Sequence, residues 1–386
     1  METFVLTCSP GLETLLHEEC CEHFPETSFM EQIGAVRFSG SLEDAFSVAS
    51  ATGIGSRLFM RVAEFECTGK FEFEKGMAQI DWQQFLTANS TFRISVHGLI
   101  EGKGLKRSFA PLLAKDIICD YFREKTEGTR PSVDTKDPQV HIELYYSAKA
   151  VTVSIELSRS PIHKRGYRTD GGKAPLRESL AYAFYRFVEP KEETIIDPFC
   201  GSGTILIETA RGLKGDILSK PDFDRDRPNN DFWNKVSPAL KKTSAPKITK
   251  APKLPKLRGF DISEKQIESA QGNLSRSQTS NEIEISKMDA CNPPQDLYKN
   301  SLIMCNPPHG DRVFSLDKAA NLIGNFARKV KFDHSPCRMA LILPDDGLAK
   351  NVGFAPSKKL RIGAGEKTYL FLIYEIYAGS KKRTKD

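Results

Sequence analysis

The tetrapeptide Cys-Asn-Pro-Pro occurs twice in this sequence, at residues 291–294 and again at residues 305–308. An asparagine side-chain oxygen and the carbonyl of the proline that follows it can accept both hydrogens of an amino group. The exocyclic amine of a nucleic-acid base is a poor nucleophile, because its lone pair delocalises into the ring. Binding both hydrogens favours a tetrahedral nitrogen with its lone pair directed at a methyl donor. The motif therefore predicts methylation of an amine without a strong general base.

The two copies differ in their surroundings, and only the second is predicted to carry this chemistry. Asn306 follows the apolar run Ser-Leu-Ile-Met-Cys, which is typical of a buried strand, and precedes Pro307, Pro308 and His309. Asn292 follows a short polar link, so the prolines after it are expected to begin a turn or a helix. We predict that Asn306 and Pro307 are catalytic and that the His309 ring stacks on the base.

A second group of informative residues begins where the strand Thr-Ile-Ile-Asp ends. Asp197 ends this strand, and Gly201 and Gly203 form a tight turn before a helix that starts at Thr204. A strand, a glycine turn and a helix start together make a site for a nucleotide-like ligand. The third glycine of the GxGxxG pattern is absent, because Leu206 stands there. An acid at the strand end would also repel a pyrophosphate, whereas S-adenosylmethionine is cationic and carries no phosphate.

Two later strands also end in acids. Asp261 follows Gly-Phe, where a carboxylate can bind the two hydroxyls of a ribose, and Asp289 follows Lys-Met, where it could accept an adenine amino group. Asp197 lies much further from Asp261 than the roughly 20 residues expected in a plain βαβ unit. A lysine-rich insertion at about residues 213–257 would explain the gap. Each acid alone is more often a solvated strand end or a helix cap, but three in order favour a cofactor site.

A parallel sheet must bring these motifs together. From residue 194 onward, short apolar runs that end in polar residues alternate with helical segments, which predicts a Rossmann-like, mostly parallel, doubly wound α/β domain. Ligands bind such sheets at the carboxyl ends of the strands. Two smaller α/β units precede it, and Ser41 is a predicted helix N-cap in the first. We place the three domains at residues 1–60, 61–158 and 159–386.

Composition limits the partners and the compartment. The net charge of +5 permits a nucleic-acid partner without demonstrating one, and residues 235–258 hold seven Lys and no acid. Whether this run contacts RNA or is a solvated loop stays open. The sequence has no run of eighteen apolar residues, and its nine cysteines lack zinc spacing, so we predict neither a membrane span nor a metal. Scattered thiols and a start that lacks signal-peptide features predict a cytoplasmic protein.

Several of these motifs together resemble a known family. Asp-Pro-Phe-Cys-Gly-Ser-Gly-Thr with Cys-Asn-Pro-Pro-His-Gly resembles the S-adenosylmethionine-dependent amino methyltransferases, which carry Asn/Asp-Pro-Pro-Tyr/Phe. Residues 163–181 look like the junction between a THUMP domain and the catalytic domain of bacterial 23S rRNA guanine-N2 methyltransferases. The chain upstream, through residues 122–158, resembles the THUMP domain itself. The resemblance covers most of the chain, and the lysine-rich insertion is its loosest part.

The resemblance implies a class I methyltransferase domain preceded by a ferredoxin-like and THUMP α+β region that binds RNA. The implied substrate is structured RNA, with 23S rRNA the first and tRNA the second to test. Residues 174–178 would close over S-adenosylmethionine, and Asn306, Pro307 and His309 would receive the base. The predicted cofactor-binding residues are Asp197, Phe199, Gly201, Gly203, Thr204, Asp261, Ile262, Asp289 and Ala290.

Some alternatives stay open at this point. The family usually has Tyr or Phe where this chain has His309, whose smaller ring can stack on a base or merely pack at the pocket rim. The same motif would serve N6-adenine methylation of DNA or RNA, and a non-catalytic RNA-binding assembly factor could retain the cofactor fold. Cys200 and Cys305 lie near the predicted pocket, but methylation of a pyrimidine carbon through a cysteine nucleophile is improbable. Protein partners are not predicted.

Overall fold

The computed structural model describes residues 1–98, 108–147, 149–168, 176–216, 223, 226–243, 254–309, 315–345 and 347–379. Among these residues, no helix is long and apolar enough to cross a bilayer.

The chain begins with a βαββαβ unit. Its elements are β1 (Glu2–Thr7), α1 (Glu13–His23), β2 (Phe29–Gln32), β3 (Ala35–Gly40), α2 (Leu42–Ala51) and β4 (Arg57–Glu66). The strands lie in the order β2-β3-β1-β4, which is the ferredoxin-like arrangement predicted for this region. The predicted cap is also confirmed, because the Ser41 hydroxyl accepts the Asp44 N–H at 3.1 Å while the Asp44 carboxylate accepts the Ser41 N–H at 2.8 Å.

The same sheet continues into the second unit. The added elements are α3 (Lys70–Ala78), β5 (Thr91–Gly98), α4 (Ala110–Lys125), β6 (Ser132–Val133), β7 (Val140–Tyr146) and β8 (Ala150–Glu156). Antiparallel pairing of β4 with β8 gives the strand order β2-β3-β1-β4-β8-β7-β5-β6. The boundary drawn between residues 60 and 61 therefore falls inside β4, because this long strand belongs to both units.

Side chains alternate between the two faces of this sheet, as the pleat requires. Ile142 and Leu144 on β7 and Val153 and Ile155 on β8 are fully buried in the core, where α3 and α4 also pack. The intervening residues of β5, β7 and β8 are polar and point to the opposite face. They include Arg93, Ser95, His141, Glu143 and Glu156.

The third region is an α/β domain. Its elements are α5 (Glu178–Val188), β9 (Thr194–Asp197), α6 (Thr204–Lys214), α7 (Trp233–Lys241), β10 (Lys256–Asp261), α8 (Glu264–Ser277), β11 (Ile283–Lys287), β12 (Leu302–Cys305), α9 (Leu316–Asp333), β13 (Cys337–Pro344), β14 (Lys358–Ala364) and β15 (Lys367–Ile376). The strand order is β11-β10-β9-β12-β13-β15-β14, and the pairings from β11 to β13 are parallel. The Rossmann-like sheet is therefore confirmed.

A buried polar network joins the N-terminal sheet region to the third, α/β region; these are the two halves of the molecule. Arg165 lies 3.3 Å from Glu208 on α6, and each side chain is only 1% exposed. The Tyr167 hydroxyl donates to Glu208 at 3.0 Å, and an Arg165 nitrogen donates to the Gly53 carbonyl at 2.8 Å. Buried apolar side chains of the N-terminal sheet, α5 and α6 form one continuous cluster around it.

Part of the predicted insertion is a folded element. The α7 helix contacts α2, and the Trp233 indole N–H donates to the Phe85 carbonyl at 2.8 Å. This portion therefore packs on the N-terminal region. Four of the nine lysines of the insertion lie outside the described residues: Lys220, Lys247, Lys250 and Lys253.

Candidate active site

Three of the predicted site residues meet at the carboxyl edge of the parallel sheet. β9 lies between β10 and β12, so Asp197, Asp261 and Asn306 follow or end three adjacent strands. Gly259 of β10 pairs with Asp197, and the Cys200 N–H donates to the Phe260 carbonyl at 2.8 Å. The turn after β9 is therefore fixed to the neighbouring strand.

The glycine turn lies directly beside Asp261. Gly201 has φ +51°, and its N–H donates to Asp261 Oδ2 at 3.1 Å. A Cβ at Gly201 would have no neighbour nearer than Gln266 Oε1 at 4.0 Å, so this backbone faces open space that a ligand could enter. Gly203 has φ +79°, and a Cβ there would lie 3.4 Å from Leu274 on α8. The first glycine exposes the backbone, and the second is favoured by its positive φ, because a Cβ there would make only ordinary contact with α8.

Asp197 is a buried acid. It is 1% exposed, and its Oδ1 accepts the Phe199 N–H at 3.1 Å. Burial raises the pKa of Asp197 well above its ordinary value, and the nearby charge of Asp261 raises it further. The Phe199 ring packs against Phe326 on α9, with 5.0 Å between ring centroids. A cation placed near Asp197 would therefore stabilise its ionised form.

Asp261 is held by its neighbours and lies beside an exposed apolar side chain. Its Oδ1 accepts the Ser263 N–H at 2.9 Å, which fixes the carboxylate at the start of α8. The adjacent Ile262 is 68% exposed. A carboxylate next to an uncovered aliphatic surface suits a ligand with hydroxyls on one side and a flat apolar ring on the other.

Asp289 is positioned by the first Cys-Asn-Pro-Pro copy. Its Oδ1 accepts the Cys291 N–H at 2.9 Å, and its Oδ2 accepts the Asn292 side-chain amide at 2.7 Å. The Tyr298 hydroxyl donates to the carbonyl of the buried Ala290 at 3.2 Å. The turn expected after Asn292 is confirmed, but the role of its side chain in orienting Asp289 was not predicted.

Asn306 presents an unsatisfied acceptor. It follows β12, and its side-chain Oδ1 is buried without a hydrogen-bond partner among the described residues. Buried polar atoms are nearly always paired, so this acceptor is suited to a donor from a ligand or from water. An amino group with two hydrogens is such a donor.

His309 is oriented by the proline carbonyl. Its Nδ1 lies 2.7 Å from the Pro307 carbonyl oxygen, and because that oxygen can only accept, Nδ1 is the donor. The Tyr369 ring of β15 lies 5.9 Å from the His309 ring at an interplanar angle of 58°. Tyr369 was not predicted to lie at this edge, which it reaches because β15 inserts next to β13. Residues 310–314 lie outside the described part of the chain.

Arg168 was not predicted to contribute to the site, although it lies in the junction at residues 163–181. It donates to the Thr204 hydroxyl at 3.0 Å and to the Leu176 carbonyl at 2.8 Å, and it lies 3.7 Å from Glu178. These contacts attach the end of the predicted closing segment to the start of α6. Residues 174 and 175 of that segment lie outside the described residues, so its closure over a cofactor stays a prediction.

The two cysteines near the site are poorly suited to nucleophilic attack. Burial raises the pKa of both Cys200 and Cys305 well above the ordinary thiol value, and Asp197 raises both further. A protonated, buried thiol is a weak nucleophile. Within the described residues, no group of three or more His, Cys, Asp or Glu side chains could hold a metal ion.

Two domain families match this chain. Residues 165–353 match the RMKL-like methyltransferase domain, and residues 72–156 match the THUMP domain. The protein named ribosomal RNA large subunit methyltransferase K/L from Shewanella frigidimarina is 29% identical over 392 residues, covering 99% of this chain and 54% of that relative. The chain spans about half the length of the curated relatives it matches.

Solved structures agree over nearly the whole chain. A possible methylase from Clostridium difficile 630 has a TM-score of 0.76 at 22% identity, covering 99% of this chain and 100% of that one. SMU.472, described as a methyltransferase and solved with SAH, has a TM-score of 0.72 at 19% identity, covering 99% of both chains. At these identities the likeness establishes the fold alone. The predicted fold, a class I methyltransferase domain preceded by a THUMP-containing α+β region, is confirmed.

Proposed function

Because the chain combines a THUMP domain with an S-adenosylmethionine-dependent, RMKL-like methyltransferase domain, we propose that it methylates the exocyclic N2 amine of a guanosine in structured RNA. Large-subunit rRNA is the first substrate to test, since curated relatives carry that name, and tRNA is the second. The observation that carries the proposal is the buried, unpaired Oδ1 of Asn306 at the carboxyl edge of the sheet.

Asn306 and Pro307 would activate the amine. Asn306 Oδ1 accepts one amine hydrogen, and the Pro307 carbonyl accepts the other through the lone pair that His309 leaves available. The nitrogen then becomes tetrahedral, and its lone pair is directed at the methyl group. The methylated amine is acidic and loses its proton to solvent afterwards. The rings of His309 and Tyr369 supply aromatic surface beside the base.

The strand ends and the glycine turn would hold the cofactor. S-adenosylmethionine supplies an electrophilic methyl group on a sulfonium. Asp197, Gly201, Gly203 and Thr204 would line its methionine part, with the open backbone of Gly201 allowing close approach. Asp261 and Ile262 would contact ribose and adenine, and Asp289, with Ala290, would meet the adenine amino group. Phe199 would contribute through the backbone N–H that orients Asp197.

The proposed cofactor site can be tested at Asp261. We expect Asp261→Ala to weaken S-adenosylmethionine binding by about 10- to 100-fold, because charge-assisted hydrogen bonds are lost. Calorimetric titration of the full chain measures this. Glu264→Gln is the matched control, since Glu264 begins α8 just after Asp261 and is exposed beside Lys287. Equal weakening in both variants would contradict the assignment.

Nucleoside mass spectrometry tests the reaction and the substrate together. RNA from a strain that lacks the chain should lose N2-methylguanosine at one position of the large-subunit rRNA, and the purified chain should restore it. Loss of N6-methyladenosine instead would favour the adenine alternative, which the same Asn-Pro-Pro motif could serve. Retention of every modification in rRNA and tRNA would refute the proposed methyl transfer.

A further inference from the structure

A small cleft lies on the polar face of the N-terminal sheet. Its volume is about 120 Å³, comparable to the space of a few water molecules. Five basic side chains line it, contributed by β4, β5, the segments flanking β7 and β8, and the segment before α7: Arg57, Arg93, Lys136, Arg159 and Arg227. The insertion and the THUMP sheet therefore build this cleft jointly.

Two acids also line the cleft, and each has a basic partner. Asp137 lies 2.9 Å from Arg159. Glu156 is 3% exposed, and its two oxygens contact Arg57 and His141. Asp226, outside the lining, also lies 3.7 Å from Arg159. Five cations thus face two lining anions and one neighbouring anion, which leaves an excess of positive charge in a partly enclosed space.

The hydrogen bonds of His141 can be assigned. Burial lowers the pKa of His141, which favours its neutral form. Burial alone would raise the pKa of Glu156, but the hydrogen bond from His141 and the charge of Arg57 outweigh it and lower that pKa overall. Glu156 is therefore ionised and His141 neutral, so Nδ1 carries the proton and donates to Glu156. The other ring nitrogen, Nε2, accepts from the Ser95 hydroxyl at 2.7 Å.

This assignment leaves two nitrogens of Arg93, Nε and Nη2, without an acceptor among the described residues. Its Nη2 lies 3.3 Å from His141 Nδ1, which already carries a hydrogen and cannot accept another. Its Nε is buried and has no partner among the described residues. The buried Nε–H has thus lost water without gaining an acceptor, which is unfavourable, and an oxyanion bound in bidentate fashion by the guanidinium would satisfy it.

We propose that this cleft binds a phosphate group, with Arg93 as its principal donor and Lys136 at its exposed rim. The chemistry is shared by a phosphate of bound RNA and by free phosphate. The RNA source rests on the proposed function, whereas the anion site itself does not. The cleft is formed by the N-terminal sheet and the insertion, and so it is separate from the edge where Asn306 lies.

Inorganic phosphate is the first probe. At constant ionic strength set with chloride, phosphate should raise the melting temperature of the full chain in a saturable manner. Arg93→Gln should abolish this shift. Lys136→Gln should reduce it, and because Lys136 is exposed, this substitution should leave the fold unchanged. Arg123→Gln, a surface arginine on α4 paired with Asp120, is the control and should keep the full shift. Absence of a shift in the wild type, or a shift in Arg93→Gln as large as in the wild type, would overturn the proposal.

A structured large-subunit rRNA fragment is the second probe. If RNA supplies the phosphate, the fragment should compete with the phosphate shift, and Arg93→Gln should reduce the slope of log affinity against log salt by about 1. Unchanged RNA binding together with lost phosphate binding would assign the site to free phosphate. Methyl transfer is measured separately, so phosphate binding without methylation would refute the proposed function and leave the anion site intact.

Discussion

Asn306→Ala should lower methyl transfer by about 10²- to 10³-fold or more while leaving the affinity for S-adenosylmethionine nearly unchanged. The substitution removes the buried Oδ1 that has no partner among the described residues, and with it an interaction that strengthens as the amine becomes tetrahedral. Single-turnover methyl transfer and calorimetric titration of the cofactor measure the two effects separately.

Asn292→Ala is the matched control, because it makes the same change in the other Cys-Asn-Pro-Pro copy. It removes the 2.7 Å hydrogen bond to Asp289, so it should weaken cofactor binding and leave the rate at saturating cofactor close to wild type. We therefore expect Asn306→Ala to lower the rate but not the cofactor affinity, and Asn292→Ala to lower the cofactor affinity but not the rate. A large rate loss in Asn292→Ala at saturating cofactor, or a wild-type rate in Asn306→Ala, would contradict the separate roles.

Asp197→Asn should make the folded chain more stable at neutral pH and bind S-adenosylmethionine about 10-fold or more weakly, because the cation loses a charge partner. The pKa of Asp197 is raised by burial in the folded chain, so folding favours the protonated form. Stability from this group is therefore complete below the unfolded pKa of about 4 and declines as pH rises towards the raised folded value. Asparagine keeps the acceptor for the Phe199 N–H and removes this decline.

Urea unfolding of both proteins across the range from acidic to neutral pH measures the stability difference. The advantage of Asp197→Asn should shrink as pH falls towards about 4. Cofactor affinity of the wild type should increase with pH over the same range, since binding a cation displaces the proton, and that dependence should be weaker in the variant. A variant that is less stable than wild type at neutral pH would show that Asp197 is ionised and paired in the free chain.

Several strands of the methyltransferase domain were predictable because each carries a local signal. β9, β10, β11 and β12 are short apolar runs that end in polar residues, and a parallel sheet buried on both faces needs such runs. The capping box at Ser41 is equally local. The boundary at residue 60 has no such local signal. The residues of β4 predict one strand, and they do not show that this strand pairs with β1 of the first unit and also with β8 of the second.

Contacts that depend on strand pairing could not be predicted from the sequence. Tyr369 reaches His309 through the insertion of β15 beside β13, and Arg93 meets His141 through parallel pairing of strands far apart in the chain. The hydrogen bond from Asn292 to Asp289 is local but depends on a turn geometry that composition does not specify. The doubled motif therefore has one proposed catalytic copy and one copy that holds a predicted cofactor ligand in position.

The buried joint between the two halves bears on how a target nucleotide would be chosen. Arg165, Tyr167 and Glu208 are enclosed in a network that reaches Gly53, and apolar packing continues across it. We therefore expect the N-terminal sheet and the edge that carries Asn306 to keep a constant separation. In the proposed function, an RNA bound to the N-terminal sheet would place a nucleotide at the Asn306 edge, at a set distance from where the RNA is held. Under that proposal, the chain would select its target by three-dimensional distance from the anchor. Lengthening the RNA between anchor and target would then move the methyl group to another nucleotide.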